Sequence, residues 1–133
     1  MSDPELLVAV RESVSEALGL GIDEVQPGQT LLDELGAESI DLLDMLFRLE
    51  RKTGVKIKAA ELADYVQGGI PEAEFGDGQG KVSGRGLAHL KTVMPQVDVE
   101  ALAGRLEPEK VITLFTVQNL ADYVSLRTAA VPR

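Results

Sequence analysis

The chain has 133 residues, of which 26% are charged and 44% hydrophobic, with a formal net charge of −9 and no cysteine. That length can bury one core without a disulfide or a metal, and the absence of cysteine leaves the protein with no thiol chemistry of its own. Residues 1–50 hold 12 acidic and 2 basic side chains and the remainder 10 and 11, a distribution that excludes nucleic acid as a partner and favours basic protein surfaces near the N-terminal half.

The first element is a helix opened by Asp3 as cap, Pro4 at the first helical position and Glu5 near the positive end. Leu6, Leu7, Val10, Val14, Ala17 and Leu18 follow at helical spacing, and Gly19 and Gly21 mark its end. Residues 22–30 carry Pro27-Gly28 and no periodicity, which predicts a loop anchored by Val25, Leu31 and Leu35 and closed by a turn at Gly36. Ser39 then stands at the mouth of the next helix as its expected cap, and the helix runs to about Thr53 before Gly54.

This second helix has more apolar residues than one buried face needs. Leu42, Met45, Leu46 and Leu49 form one stripe, expected to pack on the first helix, and Ile40, Leu43 and Phe47 form another. Beside the second stripe lie Glu38, Asp41 and Asp44, so the start of the helix has an acidic surface with apolar residues set into it. Arg48, Arg51 and Lys52 gather at the opposite end, where cations suit the helix dipole.

Further on, 59–66 reads as a short helix broken by Gly68-Gly69-Ile70-Pro71, and 75–86 as a glycine-rich, irregular and mobile connection. It is not a phosphate-binding loop, because Gly80-Lys81 is followed by Val82 and no strand precedes it. Ser83 caps a helix over 84–93, and Asp98 one over 99–106. Pro108 opens a turn toward Val111 and Phe115, and Thr116 caps the last helix, with Val117, Leu120, Ala121 and Val124 inward and a frayed tail from about Thr128. His89 is the sole histidine and reads as a surface or boundary residue. No metal-ligand spacing and no nucleophile–base arrangement is present, so the chain is not expected to be an enzyme.

The segment Leu35-Gly36-Ala37-Glu38-Ser39-Ile40-Asp41 resembles the attachment motif of the acyl carrier protein family, with Glu and Ile in place of the usual Asp and Leu around the serine. The likeness continues through Val55-Lys56-Ile57 and returns in the final helix from Thr116 to Val124. It implies an all-α fold, an acyl-carrier-type four-helix bundle with additional short helices inserted between helix two and the last helix. The whole chain, 1–133, would be a single domain with an elaborated insert at about 58–110. It also implies that Ser39 receives 4′-phosphopantetheine through a phosphodiester from a phosphopantetheinyl transferase, and that acyl groups ride on its thiol as thioesters.

In that reading Glu38, Asp41 and Asp44 pair with basic docking patches on acyl-transferring or acyl-modifying enzymes, while Ile40, Leu43 and Phe47 supply apolar contacts. The basic end at Arg48, Arg51 and Lys52 departs from the family, whose members are acidic there. The longer interval after helix two is similar to that of specialised carriers for long or modified acyl chains, and implies that 58–110 extends or lids an acyl groove, in fatty acid, lipid or polyketide-type synthesis. A monomer is expected, located in the cytoplasm, since no signal pattern opens the chain and no apolar run approaches the roughly 20 residues of a membrane span. Two alternatives stand beside this reading: an unmodified interaction or regulatory module in which Ser39 is only a cap, and a carrier of amino acid or peptidyl cargo, whose members tend to have glycine where Ala37 stands.

Overall fold

The computed structural model describes residues 3–130, without the side chains of the last two. Every regular element in that range is helical, and the only pairings of the β type are two isolated bridges, Thr30 with Thr116 and Gly76 with Val82. Contacts divide the chain into two compact units, one formed by the residues up to Ala59 with those from Phe115 on, the other by Ala60–Leu114.

The first unit is built on α1 (Asp3–Leu18), α2 (Ser39–Thr53) and α7 (Val117–Ala130), with α1 packed against both of the others. Asp3 lies inside α1 and not at its cap; its carboxylate accepts a hydrogen bond from Ser125 Oγ at 2.7 Å, which ties α1 to α7. Leu6, Ala9, Val10 and Val14 from α1, Met45, Leu46 and Leu49 from α2, and Val117, Leu120, Ala121 and Val124 from α7 are buried. Leu7, Ala17, Leu18 and Leu42 are only half-buried, at the margins of those faces. Removing a Leu of the central set from water is worth about 1.5–3 kcal/mol, so these faces hold the unit together.

α7 begins with a reciprocal cap: Thr116 Oγ1 accepts from Asn119 N–H at 3.1 Å, and Asn119 Oδ1 accepts from Thr116 N–H at 3.0 Å, both side chains being buried. The helix continues to Ala130, past the point at Thr128 where fraying is expected, and Thr128 Oγ1 donates to Val124 C=O at 2.8 Å. The remainder of the expected tail, 131–133, lies outside the described residues.

The second unit contains α3 (Ala59–Gln67) from its second residue on, α4 (Glu72–Phe75), α5 (Gly84–Val93), α6 (Val99–Leu102) and a 3-10 turn over Pro108–Leu114. Ser83 caps α5 by accepting from Gly86 N–H at 3.1 Å, as its position predicts. α6 stops at Leu102, four residues before the expected end, because the chain reverses through Gly104 at φ +74. Leu106 is buried regardless, and its carbonyl accepts from Val82 N–H at 2.8 Å.

The glycine-rich stretch is not an irregular connection. Asp77 Oδ1 accepts from the N–H groups of Gln79 at 2.7 Å and Lys81 at 3.2 Å, and the Asp77 N–H bonds the Lys81 carbonyl at 2.8 Å. An aspartate turn therefore closes it, a device whose signal is the single Asp among the glycines. His89 sits at a boundary as expected: its Nε2 donates to the Tyr65 carbonyl at 2.9 Å, and the ring covers Gly68.

Candidate functional site

The chain reaches α2 through a loop held at both ends. Arg11 on α1 donates from Nε to the Val25 carbonyl at 2.7 Å and from Nη2 to the Ile22 carbonyl at 3.1 Å. These bonds fix a 3-10 turn at Ile22–Glu24 within the segment expected to be featureless loop. Further along, Gln118 N–H bonds the Pro27 carbonyl at 2.9 Å, Val117 N–H that of Gln29 at 3.0 Å, and Leu31 N–H that of Phe115 at 3.0 Å. The loop is thereby stitched to the start of α7.

Val25 and Leu31 are buried anchors, whereas Leu35 is half-buried and Ala37 takes the third anchoring position. Gly36 adopts φ +75, a conformation that L side chains rarely hold, and Ala37 N–H then bonds the Leu31 carbonyl at 2.9 Å. With Ala37 fixed and Met45 fully buried, Glu38, Ser39, Ile40 and Leu43 between them are exposed.

Ser39 is the first residue of α2, and the cap is Glu38, in extended backbone at φ −102 and ψ 172. This corrects the expectation that the serine caps the helix. Asp41 reaches back instead, its Oδ2 accepting from Glu38 N–H at 2.9 Å, which is half of the S/T-x-x-E pattern carried by acidic residues. Ser39 is exposed, and its hydroxyl has no hydrogen-bond partner among the described residues. The first helical bond runs from Leu42 N–H to the Glu38 carbonyl at 3.0 Å, so the N–H groups of Ser39 and Ile40 precede the helical ladder and point out at its positive end.

The two stripes of α2 divide as their spacing predicts: Ile40, Leu43 and Phe47 are 71%, 55% and 56% exposed, opposite the buried stripe. The expected acidic rim is less uniform. Glu38 is exposed, Asp41 is engaged with the backbone, and Asp44 Oδ1 is paired with Arg48 Nε at 3.0 Å. At the far end, Arg48 and Lys52 meet Glu16 of α1 at 3.5 and 3.2 Å, while the Arg51 guanidinium lies over the Phe47 ring, 5.8 Å from its centroid. The i, i+4 spacing of Phe47 and Arg51 carried that contact in the sequence.

Along one flank of α2 runs an open groove of about 270 Å³, floored by Leu43, Leu46, Phe47, Ile57 and Ala59 and edged by Glu50, Lys56 and Lys58. Leu87, Leu90, Val93 and Leu106 of the second unit are buried. Among the described residues no group of three or more histidine, cysteine, aspartate or glutamate side chains could hold a metal ion, and no helix is long and apolar enough to cross a membrane.

A family model described as the phosphopantetheine attachment site matches residues 8–67, a range that takes in most of α1, the loop, Ser39, α2 and α3. An acyl carrier protein of Thermotoga maritima is 38% identical over 61 residues, 46% of this chain and 75% of that protein. Those of Exiguobacterium sp. and Myxococcus xanthus are 34% and 38% identical, over 73% and 77% of their lengths and 44% and 46% of this chain. No solved structure matches. With three quarters of its relatives' length aligned, the chain belongs to the acyl carrier protein family, whose covalent prosthetic group is 4′-phosphopantetheine.

Proposed function

We propose that Ser39 is the attachment residue and that the protein carries acyl groups between enzymes of a specialised fatty acid, lipid or polyketide-type synthesis. The observation that carries this reading is the Ser39 hydroxyl itself, exposed on the first turn of α2 and without a competing hydrogen bond. A serine that capped the helix would have its oxygen aimed at its own backbone. Asp41 takes the bond to the Glu38 N–H, and the alcohol stays free for a phosphopantetheinyl transferase.

The residues present fit the group. Its phosphate would lie beside the unpaired N–H groups of Ser39 and Ile40, where a helix start favours an anion by roughly 0.3–1 kcal/mol. The bound group supplies a thiol on a flexible arm, which a chain without cysteine lacks, and holds the acyl cargo there as a thioester.

The rest falls to this chain's own side chains. Glu38 offers a free carboxylate to the basic docking patch of a partner enzyme, with Asp41 and Asp44 adding to the same field while engaged locally. Ile40, Leu43 and Phe47 offer apolar contact of limited area, which suits a partner that must dissociate after each transfer. The groove beside α2 can take part of an apolar chain out of water, at roughly 0.8 kcal/mol for each methylene buried. The protein is a cytoplasmic carrier acted on by enzymes, a single domain in which 58–110 is an insert.

Incubation of the full chain with coenzyme A and a phosphopantetheinyl transferase tests the assignment by intact mass. The expected result is the gain of one phosphopantetheinyl group, abolished in Ser39→Ala. A chain that keeps its sequence mass under conditions that load an established carrier overturns it.

A further inference from the structure

The outer stripe of α2 does not end at Phe47. At 100° per residue, Ile40, Leu43, Phe47 and Arg51 fall within an arc of about 80°, so Arg51 continues the line of exposed apolar residues. Arg48 and Lys52 lie to one side of that line and are turned toward Glu16 of α1. Arg51 borders the same hollow as Glu16, Arg48 and Lys52 but takes no part in their ion pairs. It is exposed, it has no ion pair among the described residues, and its guanidinium is laid over the Phe47 ring. The residues three and four places away, Phe47, Arg48, Gly54 and Val55, include no acid that could neutralise it along the helix.

We infer that the docking face of α2 is bipolar, and that it fits a partner protein surface carrying basic groups for Glu38 at the Ser39 end and a carboxylate for Arg51 at the other. The inference rests on the reading of α2 as the docking face. Ser39 and Arg51 are twelve residues apart, so the two charge contacts are separated by about 18 Å along the axis. The stacked guanidinium has lost part of its rotational freedom before a partner arrives, and its planar fork suits a carboxylate held on two N–H groups. Opposite charges at the two ends also set direction: a partner laid the other way along α2 would put like charges together, which disfavours that arrangement. Arg51 is thus a specificity residue for how an enzyme lies on this carrier, and a partner whose patch is basic throughout is disfavoured.

Two synthetic helical peptides test it on the full chain. They share the same lysines and leucines and differ at one site about 18 Å from the lysines, Glu in one and Gln in the other. Dissociation constants from fluorescence anisotropy at low salt are expected to favour the Glu peptide by about two- to five-fold, the range of an exposed ion pair. In Arg51→Gln the two peptides should bind equally, while Glu38→Gln should weaken both and keep the ratio. Equal binding to the unmodified sequence, a ratio that persists in Arg51→Gln, or binding of neither peptide overturns the inference. None of these outcomes bears on Ser39, because the mass of the loaded chain reports on that residue separately.

Discussion

Asp41 Oδ2 accepts a hydrogen bond from the Glu38 backbone N–H at 2.9 Å, bracketing Ser39 from both sides without touching its hydroxyl. The carboxylate that closes the helix start is thus separate from the alcohol beside it, and the two roles can be divided by mutation. Ser39→Ala should change stability by less than about 0.5 kcal/mol, since it removes no cap. Asp41→Ala should cost about 0.5–2 kcal/mol, the value of a lost helix cap, and leave the serine alcohol in place. Urea unfolding measures both costs, and intact mass after transferase treatment reports loading, which only Ser39→Ala should abolish. A large loss of stability in Ser39→Ala would return the capping role to the serine.

The two faces of α2 make a second contrast. Leu49 is fully buried and Leu43 more than half exposed, on the same helix. Leu49→Ala should cost about 2–5 kcal/mol, whereas Leu43→Ala should stay within about 0.5 kcal/mol. Paired denaturation curves decide it, and comparable costs at the two positions would contradict the division into a core stripe and an outer stripe.

At the start of α7, Asn119 and Thr116 satisfy each other inside the core. Asn119→Ala should leave the Thr116 N–H buried and unpaired, at about 1–3 kcal/mol. Hydrogen exchange at that amide should quicken along with the loss of stability. An unchanged exchange rate would mean that another acceptor replaces the side chain.

In the second unit, Gly68 holds φ +70 directly beneath His89, and a methyl group there would come within 2.3 Å of the imidazole Nε2. Gly68→Ala should therefore destabilise by about 1–3 kcal/mol through backbone strain and contact together. His89→Ala in that background removes the contact and leaves the strain, so it should recover only part of the loss. Complete recovery, or none, would show that one of the two causes acts alone. Thermal unfolding monitored on both variants distinguishes these results.

Much of this was legible in local pattern. The i, i+3, i+4 spacing of Met45, Leu46 and Leu49 against Ile40, Leu43 and Phe47 separated the buried from the exposed side of α2, because a helix turns every residue by the same angle. Gly54, in left-handed backbone at φ 76, ended it where expected. Ser83 and Thr116 were readable as caps for the same reason: their partners lie three residues on along the chain. Residue preference alone places Ser39 at the cap of α2, whereas Glu38 and Asp41, both acidic, carry the box in an unusual composition. The i, i+4 spacing of Leu102 and Leu106 extends α6 to Leu106 in the sequence, whereas the chain turns at Gly104.

Taken alone, the amino-acid order determined the helical class, the outer stripe of α2 and the serine at its start, all consequences of periodicity and of bonds between residues three or four apart. Tertiary structure decided what depends on residues distant in sequence. Arg11 holding the Val25 carbonyl, Leu31 bonded to Phe115, and Glu16 drawing Arg48 and Lys52 aside while Arg51 stays on the outer face belong to this second kind. The physical reason is that such partners are chosen by how helices pack, and packing brings together side chains whose separation along the chain carries no signal of their meeting.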